Sequence, residues 1–387
     1  MVAAEQKNKS FPAWDGAAST SLYQGTSLGP YHLAHRIAMA PLTRLRADGV
    51  TRVPGDKSAE YYAQRASKGG LIISEATIVS EAGGGYPGAP GIFTPEQAKV
   101  WKEINDGVHA KGGIIFCQFI FLGRVADPGN VPYVSAVSDI PADKDSKAEL
   151  HVVTEQDLET ILKEFENAAE FCKEAGFDGI ELHGANGYFI DQFLQSVSNQ
   201  RTDQYGGSVE NRMRFPFKVM QTIASVYPSN KLAIRLSPFS TFQGMREPDP
   251  YETFIPWTEK LMSTWPDLAY VHVIESRIAG NTETDPSGDD DKDSVQPFRE
   301  IVEKKSGGKT KFMTAGGWDP KSAAEHSKQF PEDLIAFGRY FIANPDLPER
   351  IKLGHPCRHW DRDTFYSPGP EGYTDQPTYQ QEIETKA

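Results

Sequence analysis

The sequence predicts an α/β fold of the closed (β/α)8 TIM-barrel type, a single domain with a capping excursion after the third strand. Three observations carry this. Eight short apolar, β-branched segments punctuate the chain, and stretches with helical periodicity lie between them. The segments also read as buried on both faces, as parallel strands do. Eight such units in 387 residues suit a barrel. A doubly wound open sheet is the alternative, and no repeat of fixed period is visible.

The predicted strands are residues 36–41, 71–78, 114–119, 179–183, 231–236, 269–274, 311–314 and 334–338. Thr94-Pro95-Glu96-Gln97 has a capping Thr, Pro at the first helical position and Gln three after the cap, so a helix starts there. Thr154 to Asp157 opens another, running to about Glu174 with Leu158, Ile161, Leu162, Phe165, Ala168, Ala169 and Phe171 on its apolar face. Asp319-Pro320 starts a third. Two excursions break the rhythm. Residues 122–153, rich in Pro, Asp and Ser, are expected to form a hairpin cap, and residues 276–293 carry the acidic run Asp289-Asp290-Asp291, read as a solvated loop. Residues 1–20 read as an N-terminal extension, 21–355 as the catalytic barrel and 356–387 as a tail wrapping over it.

Composition narrows the function. With 40 Lys+Arg against 53 Asp+Glu the net charge is −13, which argues against a nucleic-acid partner because a phosphate-tracking surface is basic. No apolar run is long enough for a membrane span. Met1 to Ser21 is polar and has no secretory signal, and no lipidation or peroxisomal motif ends the chain. Cys117, Cys172 and Cys357 lie far apart and form no CxxC, so neither a disulfide framework nor a zinc ribbon is expected. A reduced, cytoplasmic location follows as the expectation, with monomer or homodimer left open.

Barrel chemistry sits at the C-terminal ends of the strands. Gln118 interrupts the apolar run from Ile114 to Leu122, and a buried amide needs hydrogen-bond partners, either within the core or on a ligand. Arg235 within Leu232-Ala233-Ile234-Arg235-Leu236 needs an anionic partner, a structural carboxylate or a ligand. Gly316-Gly317 and Gly338-Arg339 end strands seven and eight, where barrels often bind phosphate through backbone N–H groups and a guanidinium. His183 and Asn186, just past strand four, can aim two donors at one oxygen, with Tyr188 as a weak acid beside them. Other patterns carry less. The 83–88 run fits GxGxxG, but Ala89-Pro90-Gly91 follows it and no helix begins there. His355 and His359 flank Pro356 without a Glu, so no metal site is expected. Cys117 points to the face opposite Gln118 and reads as core.

Four segments, 40–44, 183–188, 201–212 and 337–347, resemble the old yellow enzyme family of flavin-dependent ene reductases, in order and at family spacing. The resemblance implies a barrel holding non-covalent FMN, reduced by NADPH, that passes a hydride to the β-carbon of an α,β-unsaturated aldehyde or ketone, with nitroalkenes as a further class. It places Pro41 and Thr43 by the flavin, Thr43 on its O4 edge, Ala76 against the ring through its backbone, Gln118 on the pyrimidine edge and Arg235 by N1 and O2. Gly316, Gly317, Gly338 and Arg339 would hold the phosphate. His183 and Asn186 would bind the substrate carbonyl, Tyr188 would protonate the α-carbon, and Tyr86 and Tyr366 would line the pocket. Ile120 stands where many relatives carry Trp, which implies a reshaped wall and an altered facial selectivity.

Two rival readings remain. A phosphate-binding aldolase or isomerase needs a reactive Lys or a carboxylate base at a strand end, where only Glu75 and Glu275 qualify. A non-catalytic flavin binder would leave the His183, Asn186 and Tyr188 cluster without a role.

Overall fold

The computed structural model describes residues 10–11, 13–280, 282–283 and 293–386. Its centre is a closed barrel of eight parallel strands: β1 (Ile37–Met39), β2 (Leu71–Ile73), β3 (Ile114–Ile120), β4 (Gly179–Gly184), β5 (Leu232–Leu236), β6 (Tyr270–Ile274), β7 (Lys311–Ala315) and β8 (Leu334–Phe337). Each strand pairs in parallel with the next, β8 pairs with β1, and the β3–β4 pairing is part of the same ring. The main outer helices are α1 (Ser58–Arg65), α2 (Pro95–His109), α3 (Glu155–Glu174), α4 (Val209–Val226), α5 (Pro250–Thr264), α6 (Gln296–Ser306), α7 (Pro320–Gln329) and α8 (Leu347–Leu353).

Side-chain alternation sorts the strands into two cores. Ile114 and Phe116 of β3 enter the barrel with Leu71, Ile73, Ala233, Tyr270, Met313 and Leu334. Ile115, Cys117 and Phe119 face outward and join the larger core under the helices. That core is why the barrel strands are largely apolar on both sides. A hairpin of Thr26–Leu28 and Tyr31–Leu33 adds Leu28 and Leu33 to the interior.

The helix starts follow the sequence signals. Thr94 and Gln97 form a reciprocal capping box on α2, Thr154 and Asp157 one on α3, and Asp319 caps α7. Two expectations need correction. Residues 71–78 are not one strand: after Ile73, the hydroxyls of Ser74 and Thr77 both donate to the Glu75 carbonyl and turn the chain, and Thr77–Ile78 then pairs separately with the end of β3. The excursion after β3 is no hairpin either, because Val134–Ala136 and Leu150–Val152 pair in parallel. It contributes Val134 and Leu150 to the apolar cluster that contains Ile120 and Tyr188 beside the barrel mouth. The acidic run 289–291 lies outside the described residues.

The chain after α8 returns to the mouth. Arg44 donates to the carbonyls of Phe365 and Gly372, at 3.1 and 2.7 Å, and Tyr373 stacks on Tyr61 with centroids 4.1 Å apart. These contacts hold Phe365 and Tyr366 over the cavity. Among the described residues no helix is long and apolar enough to cross a membrane.

Candidate active site

A cavity of about 530 Å³ opens at the C-terminal ends of the strands. The residues that the resemblance assigns to cofactor and substrate all line it: Pro41, Thr43, Ala76, Gln118, His183, Arg235, Gly316, Gly317, Gly338 and Arg339, with Tyr86, Ile120, Asn186, Tyr188 and Tyr366.

The β4 end is built by its own backbone. His183 is buried, and its Nδ1 accepts from the Ala185 N–H at 3.3 Å, which places the proton of the neutral ring on Nε2. Burial, and then the nearby Arg235 guanidinium, hold its pKa well below the ordinary value, so the ring is neutral. Asn186 takes a left-handed backbone (φ 56°) and donates its N–H to Ser237 Oγ at 2.7 Å, while its side-chain Oδ1 is buried without a partner. Gly187 continues the turn at φ 76° and donates its N–H to Asp191 Oδ2 at 2.9 Å. A Cβ at Gly187 would come within 2.8 Å of Met245, so the position needs glycine on both counts. Tyr188 then caps the short helix Phe189–Leu194. Burial pushes its phenol well above the ordinary value, with Tyr86 adding to the effect, so it stays protonated.

Gln118 and Arg235 occupy the floor. Gln118 Nε2 donates to Glu181 Oε1 at 2.6 Å. Arg235 lies in register between His183 and His272, and its buried Nε has no partner. At the β7 and β8 end, Gly316 and Gly317 take φ values of 125° and 64°. The Arg339 guanidinium lies 4.7 Å over the Trp360 ring. Arg277 donates from Nε to the Gly316 carbonyl at 2.6 Å, and its Nη2 is buried without a partner.

This donor set fits FMN. A buried guanidinium nitrogen and an amide face one end of the cavity. Positive-φ glycines with the Arg339 guanidinium, as an anion requires, face the other. Arg235, Gln118, Thr43, Ala76 and Pro41 would hold the ring, and Gly316, Gly317, Gly338 and Arg339 the phosphate. Among the described residues no group of three or more His, Cys, Asp or Glu side chains could hold a metal ion.

Sequence reasoning missed Glu181, Arg277, Phe242, Trp318, Trp360 and Phe365. The last four line the cavity from separate loops and carry no local signal. Glu181 did carry one: it is a charged residue inside an apolar strand, as Arg235 is.

Residues 21–357 match the family described as NADH:flavin oxidoreductase / NADH oxidase. A flavin oxidoreductase of Emericella nidulans is 40% identical, over 92% of this chain and 97% of its own length. A chanoclavine-I aldehyde reductase of Penicillium roqueforti is 41% identical, over 95% of this chain and 100% of its own. The 12-oxophytodienoate reductase 2 of Arabidopsis thaliana is 37% identical, over 93% and 96%. Similarity of this depth, running along nearly the whole of each chain, means that the protein belongs to the NADH:flavin oxidoreductase / NADH oxidase family, that of the old yellow enzymes, and is an FMN-dependent oxidoreductase.

Proposed function

We propose that the enzyme is an NADPH-dependent ene reductase acting on α,β-unsaturated aldehydes and ketones, and on nitroalkenes. FMN, held by Arg235, Gln118, Thr43, Ala76 and the strand-end glycines with Arg339, would supply the hydride exchange between NADPH and the β-carbon of the alkene. His183 Nε2–H and the Asn186 amide donate to the carbonyl oxygen and withdraw electron density from the β-carbon. Tyr188 gives its proton to the α-carbon on the way to product. Arg235 would offer positive charge beside the ring, and Gln118 and Thr43 would bond its polar edges. Tyr86, Ile120 and Tyr366 shape the substrate walls. Three buried, free cysteines suit the reducing cytoplasm in which we place the enzyme.

The observation that carries this reading is His183, whose Nδ1 accepts the Ala185 N–H and so leaves Nε2–H to donate, lining one cavity with Asn186 and with Tyr188 packed edge-on against it. The rival aldolase or isomerase reading is weakened because neither Glu75 nor Glu275 lines the cavity: Glu75 accepts from the Arg44 N–H, and Glu275 from the Thr314 hydroxyl. The deciding experiment is anaerobic. The purified protein should be yellow, bleach with NADPH, and regain its colour with cyclohexenone. A colourless protein that takes up no FMN would overturn the reading, a yellow protein that NADPH does not bleach would be a flavin binder, and bleaching without reoxidation by any enone would leave an NADPH dehydrogenase without ene reduction.

A further inference from the structure

Beneath the floor of the cavity lies a charged group to which the chemistry above gives no role. Glu181 stands on β4 two residues before His183, so it points into the barrel one layer lower. Its side chain is wholly buried, as is that of His272. A carboxylate in such a place requires both hydrogen bonds and a counter-charge. It has the hydrogen bonds: Oε1 accepts from Gln118 Nε2 at 2.6 Å, and Oε2 pairs with His272 Nδ1 at 2.9 Å. The counter-charge is Arg235. Glu181 is in register with Ala233, and Arg235 sits two residues further along the same strand on the same face.

Two consequences follow. A carboxylate can only accept, so it takes the NH2 end of the Gln118 amide and leaves the carbonyl oxygen toward the cavity. That oxygen has no partner among the described residues, and it is the group that would meet an imide N–H. The negative charge also offsets Arg235, so the floor presents a nearly neutral pair in place of a bare cation. His272 adds no compensating charge: burial lowers its pKa, the neutral ring donates from Nδ1, and Nε2 is left without a partner.

We infer that Glu181 is a positioning residue for the flavin. It fixes which end of the Gln118 amide faces the pyrimidine edge, and through its charge it holds down the positive potential that Arg235 would otherwise impose there. The inference rests on the reading of the cavity as an FMN site.

The test is the midpoint potential of the holoenzyme, measured by dye equilibration, together with FMN release on dilution. For Glu181→Gln the potential should rise, because an uncompensated Arg235 favours the reduced, negatively charged ring. The expected change is at least tenfold in the reduction equilibrium, which is about 30 mV for a two-electron couple. Glu181→Asp keeps the charge but loses the reach to Gln118. It should hold the parent potential and release FMN at least tenfold faster. A Glu181→Gln enzyme with an unchanged or lower potential overturns the inference. Should that variant fail to fold, Glu181→Asp decides: FMN retention equal to the parent's overturns it as well. A parent protein that binds no FMN instead sinks the underlying reading, so the two failures are told apart.

Discussion

The imidazole of His183 and the phenol ring of Tyr188 meet edge to face, with centroids 4.8 Å apart and planes at 81°. Tyr86 meets Tyr188 in the same way on another side, at 6.4 Å and 80°. The phenol is thus held by packing next to the ring assigned to the carbonyl oxygen. In the proposed function the two rings divide the work, His183 binding the carbonyl and Tyr188 delivering the proton, and a variant of each tests that division.

Tyr188→Phe removes the proton and keeps the edge-to-face packing. Reduction of the flavin by NADPH needs no proton from this position and should be unchanged. Reoxidation by an enone should slow by roughly 10²-fold or more, the usual scale of a lost general acid. Stopped-flow measurement of the two half-reactions separates them, and equal slowing of both would show that Tyr188 acts on binding or structure instead.

His183→Ala should weaken phenol and enone binding by about tenfold or more, since one of the two donors to the oxygen is gone. Titration of the flavin spectrum with a phenol reads this directly. The neutral state of the ring has a further consequence for pH. Because its pKa is held well below 6.5, kcat/KM for a neutral enone should show no ionisation near that value. A break near pH 6.5 that disappears in His183→Asn would contradict the assignment.

What the sequence revealed, and what it hid, has a physical pattern. Gln118 and Arg235 were legible because a polar group in an apolar strand has few reasons to be there, and both line the cavity. The glycines after β7 were legible because left-handed backbone favours glycine. Glu181 obeyed the same rule as Arg235, but its neighbour His183 drew the reading to the strand end. Trp318, Trp360 and Phe242 were hidden because the cavity gathers them from three loops, and no local period encodes which loop tips converge. The parallel pairing of Val134–Ala136 with Leu150–Val152 was hidden for a related reason: residue type favours a strand but does not set its direction.

Ile120 closes one wall of the cavity at 4% exposure, packed with Ala76, Ile78 and Leu122 and against Tyr86 and Tyr188. An indole at this position adds bulk to a wall that is already filled. Overpacking of this kind costs about 1–3 kcal/mol when the surroundings cannot move, but here one side is open cavity, so the ring should extend into the substrate space. Ile120→Trp is therefore expected to change the product enantiomeric excess for at least one bulky enone. Identical enantiomeric excess across a panel of substituted cyclohexenones would count against this placement of the wall.

Asp191 offers a test of the scaffold beneath the site. Its carboxylate accepts from the Gly187 N–H at 2.9 Å and from Gln195 Nε2 at 2.7 Å, which ties the 183–188 loop to the helix behind it. Burial nevertheless dominates and pushes its pKa up from 3.8 to about 7. The sign follows from linkage. Between about pH 4 and 7 the folded protein holds this proton and the unfolded chain does not, so stability falls as pH rises through that window and levels off above it. The fall is about 1.4 kcal/mol per pKa unit of difference. Glu75, also raised to about 7 by burial, acts in the same direction. Asp191→Asn removes one of these two contributions, so the loss of stability between pH 5 and 8 should be smaller than in the parent, as read from urea unfolding midpoints at each pH. An equal loss in both proteins would mean that Asp191 is ionised across the whole range, and that its two hydrogen bonds outweigh the cost of burying it.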